Sequence, residues 1–300
     1  MTVSDSNLNG VKRPLVTVAM PVYNAGKYLR LAVLSIVRQT FTDWELLVFD
    51  DGSTDNAFQS IADIDDARIR ILRDGKNKGL AARLNECIDL ARGRYFARMD
   101  SDDVSYPERF SRQIAALQKN SALDLVAVCA VTIDESNKVT GVFPKAIAHD
   151  EICARPWRGF HFPHPTWMGK TEWFRKYRYA EPGPYFCEDQ ELLLRSHDKS
   201  RFATIDEILF AYRVRGKTNW PKLAKTRGAV LKIQMRNFFE LNQLHYAALA
   251  IAAYIAKMVV DLSKRLCSKN AEYKSVSVDD AVGRKWNEIR DGIAKELDEP

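Results

Sequence analysis

Two apolar runs in the first hundred residues end in clustered acids, and that pairing narrows the folds open to this chain. Trp44-Glu45-Leu46-Leu47-Val48-Phe49 runs into Asp50-Asp51-Gly52-Ser53-Thr54-Asp55, and Arg94 to Met99 runs into Asp100-Ser101-Asp102-Asp103. Other segments alternate around them. Leu15 to Met20 reads as a buried strand ended by Pro21-Val22-Tyr23-Asn24, and Leu29, Val33, Ile36 and Val37 repeat at helical spacing between Gly26 and Gln39. Arg68 to Leu72 reads as a third strand. Leu80, Leu84, Cys87, Ile88 and Ala91 then line one face of a helix from Gly79 to Arg92, with Gly93 expected to stop it in the left-handed C′ position. Strands and helices alternating through short connections predict an α/β protein with a single open, mostly parallel, doubly wound sheet. Both acid clusters then share the carboxyl edge, where open sheets bind ligands.

Three carboxylates within four residues repel one another and need compensation. A hard divalent cation, Mg²⁺ or Mn²⁺, held by oxygen ligands and shared with a phosphate would supply it. The plainer alternative is an acidic turn capping a helix begun at Pro107, since Asp and Ser favour N-caps. Asp50-Asp51 beside Gly-Ser serves equally as a turn. Two clusters over one crevice favour a nucleotide, with one carboxylate on the base or ribose and the other holding a metal on the diphosphate.

Composition bounds the rest. At 300 residues and 46% hydrophobic, the chain can bury a sizeable core as one large domain or a domain with an appendage. The net charge of +6, from 45 basic and 39 acidic residues, suits a phosphorylated substrate, an anionic membrane or nucleic acid. Acids at two strand ends would repel nucleic acid, which is therefore not an expected partner. Cys87, Cys129, Cys153, Cys187 and Cys267 are scattered without a C-x-x-C pair, which argues against zinc or a disulfide framework and fits a reducing cytoplasm. Met1 to Arg13 is polar, without the apolar core of a signal peptide, and reads as a flexible start.

Pro21-Val22-Tyr23-Asn24, Gln39-Thr40-Phe41, Asp50 to Asp55, Asn77-Lys78-Gly79 and Asp100 to Asp103 with Pro107-Glu108-Arg109 occur in that order. Together they resemble family 2 of the glycosyltransferases, from about Leu15 to Gln113 and again at Glu188-Asp189. The resemblance implies the nucleotide-diphospho-sugar transferase fold and an inverting transfer to a hydroxyl acceptor. It implies that Asp51 contacts the nucleobase, with Pro21 and Tyr23 walling that pocket. Asp100 would lie near ribose and metal, and Asp102 would ligate Mn²⁺ or Mg²⁺ directly. Asp189 would be the general base that an acceptor hydroxyl needs, with Glu188 orienting the sugar. Read without the resemblance, the two acids only complement a helix dipole.

The second half is looser. Leu125 to Val131 is a strand. His164, in His161-Phe162-Pro163-His164-Pro165-Thr166, reads as structural or as lining the acceptor side, and a metal role for the His161–His164 pair is the weaker alternative. Trp157, Trp167 and Trp173 either stack on sugar or pack the core. Arg213 and Arg215, in Tyr212-Arg213-Val214-Arg215-Gly216-Lys217, either fold over a diphosphate or form a solvated loop. Lys222 to His245 reads as a basic helix. Tyr246 to Ala256 is an apolar run too short to span a bilayer, and Lys257, Asp261, Lys264 and Arg265 continue it as a polar stripe. That pattern suggests an interfacial helix on an anionic membrane or, alternatively, a helix packed on protein. Trp286, Ile289 and Ile293 hint at a terminal helix in an otherwise polar tail.

The expected organisation is a flexible 1–13, a catalytic region 14–220 (nucleotide half 14–124, acceptor half 125–220) and a helical region 221–300. The expected activity is metal-dependent transfer from a nucleotide-diphospho-sugar, UDP-linked, to a saccharide or lipid-linked saccharide. The expected setting is surface polysaccharide or glycolipid assembly at the cytoplasmic face of a membrane. A nucleotidyltransferase would share sheet and metal but usually has a Gly-rich phosphate loop, where this chain has Pro21-Val22-Tyr23-Asn24. A non-catalytic nucleotide-binding or nucleic-acid-binding protein is the alternative from another class. A processive synthase would carry a Gln-x-x-Arg-Trp motif and several spanning helices, neither of which this sequence contains.

Overall fold

The computed structural model of the protein describes residues 13–216, 219–267 and 279–295. The expected flexible start, Lys217 and the tail just after Ser268 therefore lie largely outside the described residues. In chain order the elements are β1 (Val16–Val22), α1 (Leu29–Val37), β2 (Trp44–Asp50), β3 (Ile69–Arg73), α2 (Leu80–Leu90), β4 (Tyr95–Arg98), β5 (Val104–Ser105) and α3 (Arg109–Lys119). There follow β6 (Leu125–Ile133), β7 (Val139–Val142), α4 (His149–Cys153), β8 (Met168–Lys170), α5 (Thr171–Tyr177), α6 (Glu188–Ser196) and β9 (Phe202–Arg213). Three long helices close the chain: α7 (Trp220–Glu240), α8 (Leu244–Cys267) and α9 (Asp280–Lys295).

The sheet runs β3-β2-β1-β4-β8-β6-β9-β5, with β7 on β6. Its first half is parallel, as the alternating pattern predicts: β1 lies between β2 and β4, and β3 follows β2. The predominantly apolar β1 and β6 are buried along their whole length, the mark of strands covered on both faces. The short β8 enters antiparallel between β4 and β6, a crossing that three residues in a Pro-rich segment did not announce. Beyond it β6 and β9 pair in parallel. One apolar cluster lies on each side of the sheet, one around Val18, Val48 and Phe110, the other around Phe96, Trp167 and Phe202.

Gly93 is not the left-handed helix stop that its place in the sequence suggests. α2 ends at Leu90 with Ala91 extended, and Gly93 is absent from the left-handed glycines of the chain. A Cβ at Gly93 would instead sit 2.5 Å from the backbone N of Thr17. Close approach of α2's exit to β1 is the reason for glycine.

The C-terminal helices also depart from expectation. α7 and α8 form an antiparallel hairpin turned at Asn242, whose φ is +56°. The apolar run was read as too short to span a bilayer, yet α8, 24 residues long, is by length and composition long and apolar enough to cross a membrane. Two members of its polar stripe turn toward protein: the Lys257 ammonium donates to the Arg158 carbonyl at 2.7 Å, and Arg227 of α7 donates to Asp261 at 2.9 Å. Lys264 and Arg265 stay exposed. α9, hinted at by Trp286, folds back onto the first half: the Trp286 indole is buried, stacks near Tyr106 and donates to the Asn137 carbonyl at 2.7 Å.

Candidate active site

The carboxyl ends of β1, β2 and β4 build the first wall. Pro21 is buried at the end of β1 and Tyr23, just beyond, is half exposed. The acidic loop after β2 is stitched to that turn: Gly26 N–H donates to Asp55 at 2.7 Å, Thr54 N–H to the Asn24 side chain at 2.8 Å, and Asn24 N–H to the Ser53 hydroxyl. Gly52 adopts φ +74° where a Cβ would meet the Lys76–Asn77 backbone at 3.1 Å. Asp51 accepts from Lys78 N–H at 2.7 Å, Gly79 N–H at 3.0 Å and Arg83 Nε at 2.8 Å. Arg83 is itself fully buried and also pairs with Asp74 and Glu86. Asp51 is therefore rigidly oriented, and one of its four acceptor positions is left for a ligand.

The Gln39-Thr40-Phe41 stretch acts at a distance. The buried Gln39 amide donates to the Tyr106 carbonyl and accepts from Phe110 N–H, which fixes the entry of α3 under the second acid cluster. α3 starts behind Glu108 without a side-chain cap, so the Asp100–Asp103 acids do not cap it. Their oxygens instead converge: one from each of Asp100, Asp102 and Asp103 lies within 4.8 Å of the others. Among the described residues this is the one group of three acidic, histidine or cysteine side chains close enough to share an ion. Burial, then the charge of Asp100, pushes the Asp102 carboxyl up, against Arg215 and Arg213. Burial, then Asp100 and Asp102, pushes Asp103 well above the usual carboxylate range. Asp103 Oδ2 is buried with no hydrogen-bond partner. A hard cation matches this donor set of oxygens, orphan acceptor and mutual repulsion.

Basic residues surround the cluster in different ways. Arg215 reaches Asp102 through Nε at 2.7 Å and is about one-third exposed. Arg213 is buried and serves the backbone: its N–H donates to Asp103, its Nε to the Asp102 carbonyl and its remaining nitrogens to Asp134 and Asn137. The structure therefore brings Arg215 to the site and makes Arg213 a strut behind it. Arg109, fully buried and pushed by burial down to about 9, holds the Arg98 carbonyl from beneath.

The second wall is the start of α6. Asp189 accepts from the Gln190 amide at 3.0 Å, and Gln190 is clamped in turn by both backbone groups of Phe160. Burial, then Asp189, raises Glu188 to about 7, and burial also raises Asp189, against the Gln190 hydrogen bond. His164 lies beneath them, buried, with Nε2 2.7 Å from the Tyr179 hydroxyl and Nδ1 3.9 Å from Glu188. Burial, then Arg98, holds its pKa well below the usual imidazole value, which favours the neutral ring packed beside Glu188. Trp167 and Trp173 are core residues, and Trp157 stacks on Tyr246 of α8 at 5.0 Å.

Arg98 is buried beside Asp100, and nothing in the motif pattern marked it. It is 3% exposed, pairs with Asp100 at 2.7 Å, and leaves Nε and Nη1 buried without partners. Burial opposes its charge, and Asp100, Tyr179 and Glu188 outweigh that penalty. Its signal in the sequence was a lone cation inside the apolar run before Asp100. Gln190 had no signal, because its partner is a backbone thirty residues away.

Such a site can hold an anion beside a cation while a carboxylate on the facing wall takes a proton. A Bacillus subtilis protein named as glycosyltransferase EpsE is 35% identical over 166 residues, 54% of this chain and 58% of its own length. An Escherichia coli protein, UDP-Glc:alpha-D-GlcNAc-diphosphoundecaprenol beta-1,3-glucosyltransferase WfgD, is 33% identical over 140 residues, 46% of this chain and 54% of its own. This chain thus spans less than two thirds of either relative. The fold is that of the Pyrobaculum calidifontis mannosyltransferase PcManGT, solved with GDP-Man and Mn²⁺, at a TM-score of 0.57 and 15% identity over 97% of this chain and 88% of that one. The family model for glycosyl transferase family 2 matches residues 17–178, more than half of the chain, and the protein belongs to that family.

Proposed function

We propose that the protein is a metal-dependent, inverting glycosyltransferase that moves a sugar from a UDP-linked donor to a hydroxyl of a saccharide or lipid-linked saccharide. The observation that carries this is an under-compensated acid cluster (Asp100, Asp102, Asp103) at the sheet edge, with Arg98 paired to Asp100 and within electrostatic reach of the buried acid Glu188. WfgD is named for a UDP-Glc donor and a lipid-diphosphate acceptor, and PcManGT was solved with Mn²⁺. Both support the choice of chemistry.

In this proposal Asp51, with the Pro21–Tyr23 turn, holds the base, and residues 14–220 form the catalytic region. A Mn²⁺ or Mg²⁺ ion held by Asp100, Asp102 and Asp103 supplies positive charge to the diphosphate. Arg215, within reach of Asp102, adds a cation at the same edge. Asp189 accepts the proton of the acceptor hydroxyl as its oxygen bonds the anomeric carbon. The bond from that carbon to the diphosphate breaks with its electron pair going to the nucleotide, so the configuration inverts. Glu188 orients the sugar, and His164 supports Glu188. The setting is peripheral, at the cytoplasmic face of a membrane, in surface polysaccharide or glycolipid assembly.

The test is a screen of nucleotide sugars for nucleoside diphosphate release with Mn²⁺ and a panel of saccharide acceptors. Release from UDP-sugars that stops in excess EDTA is expected. Full turnover in EDTA would overturn the metal, and a product with retained anomeric configuration would overturn the single displacement.

A further inference from the structure

α8 is built inside out. The side it turns toward the protein carries Ala247, Ala250, Lys257 and Asp261, which are small or polar. The opposite side carries Leu244, Ile251, Ile255, Val259, Leu262 and Leu266, all exposed, at spacings of three, four and seven that keep them on one stripe. Ile255 is 55% exposed and Leu266 75%. Over its 24 residues the stripe runs about 36 Å. Among the described residues nothing covers it. A helix at the rim of a water-soluble domain normally shows the reverse arrangement.

Charge says what covers it. Residues 222–266 hold eight basic and two acidic side chains, a net +6, and the remainder of the chain balances at 37 of each. The whole excess charge of the protein therefore sits on this hairpin. Both of its acids are spoken for inside it, Glu240 by Arg236 and Asp261 by Arg227. Exposed Lys264 and Arg265 end α8, and exposed Arg155, Arg158 and His161 flank the turn on which it packs. Burial, then Lys257 and Arg158, depresses the His161 pKa, as expected where like charges crowd. A second copy of so cationic a face would repel the first, whereas an anionic surface would not.

We propose that α8 lies flat in the headgroup region of an anionic bilayer, its aliphatic stripe inserted and the surrounding Lys and Arg side chains on lipid phosphates. The geometry also orients catalysis. α8 packs on Pro156–Arg158, Gly159 and Phe160 follow at once, and Phe160 clamps the Gln190 that holds Asp189. The docking helix thus packs, through the side away from its aliphatic stripe, on the segment that positions Asp189, which keeps that segment close to an acceptor carried in the membrane. This orientation deepens the proposed function and rests on it only for the acceptor. The docking itself does not.

The experiment is flotation of the full-length protein with vesicles of pure phosphatidylcholine and of phosphatidylcholine with 30% (about one lipid in three) phosphatidylglycerol. Binding to the anionic vesicles, weakened by salt and released by alkaline carbonate, is expected. Ile255→Gln with Val259→Gln should weaken it about tenfold, as should Lys264→Gln with Arg265→Gln, while both variants still bind UDP with Mn²⁺ and remain monomeric by light scattering. No anionic preference in the wild type would overturn the proposal. So would resistance to carbonate, which means a spanning helix, or a wild-type dimer that the Ile255/Val259 pair dissociates. Loss of donor binding in active-site variants, with flotation intact, would count against the proposed function and leave this docking standing.

Discussion

Asp51 and Asp103 are both buried acids, beyond the ends of β2 and β4 on either side of β1, and their surroundings are opposite. Asp51 receives three hydrogen bonds, one from a buried arginine, and its charge is matched by protein. Asp103 keeps an orphan oxygen beside two further carboxylates. The same contrast separates the two walls of the crevice: the wall after β2 is complete in itself, whereas the acids after β4 and at the start of α6 hold charge that burial raises in free energy. A satisfied carboxylate is a fixed recognition group. An unsatisfied one is chemistry waiting for a cation or a proton.

That contrast can be broken by substitution. The largest effect is expected from Asp189→Asn, which keeps shape and the Gln190 neighbourhood but removes basicity. kcat should fall by roughly 10²–10⁴ with UDP affinity nearly unchanged, measured by single-turnover transfer and by calorimetry. Loss of UDP binding as well would make Asp189 structural. Asp102→Asn comes next: removal of one ligand charge should cut transfer by about 10²–10³ and weaken Mn²⁺-dependent UDP binding, with little loss of thermal stability. A stability loss with Mn²⁺ affinity intact would argue that the cluster is only a fold element.

Asp51 should behave in the opposite way. Asp51→Ala leaves Arg83 short of a buried partner, so it should destabilise by about 3 kcal/mol and raise the donor KM about tenfold while kcat changes little. A change confined to kcat would place Asp51 in the chemistry. The smallest effect is the pH dependence of Glu188. Its folded pKa of about 7 lies above the ordinary 4.5, so the folded state binds its proton more tightly than the unfolded state. Its contribution to stability is therefore fullest below about 4.5 and is lost as pH rises through about 7, by on the order of 1–3 kcal/mol. Glu188→Gln should flatten that decline in chemical denaturation between pH 5 and 8, and an unchanged slope would assign it elsewhere.

Much of the catalytic half was legible because its signals are local. Strand-ending acids and short βα connections each act within a few residues of where they stand, so the edge of the sheet could be read directly, whereas the Gln39 stretch reaches Tyr106 and Phe110. Gly93 was legible as a constrained position and misread as to cause, since a helix stop and a close approach to β1 leave the same residue. The polar stripe of α8 was legible as a stripe, but only packing on α7 and Arg158 took its Lys257 and Asp261 onto protein while Lys264 and Arg265 stayed exposed.

By itself the sequence determined the α/β alternation, the parallel first half of the sheet and the meeting of two acid clusters at one edge, because hydrophobic period and turn chemistry are encoded residue by residue. Tertiary structure alone decided the antiparallel insertion of β8, the burial of Arg98 within electrostatic reach of Glu188, the clamp of Phe160 on Gln190, and the outward turn of α8's aliphatic face. Each of these depends on partners between about thirty and a hundred residues apart. At that separation, burial and charge compensation are set by which surfaces the fold brings together, and no local pattern records them.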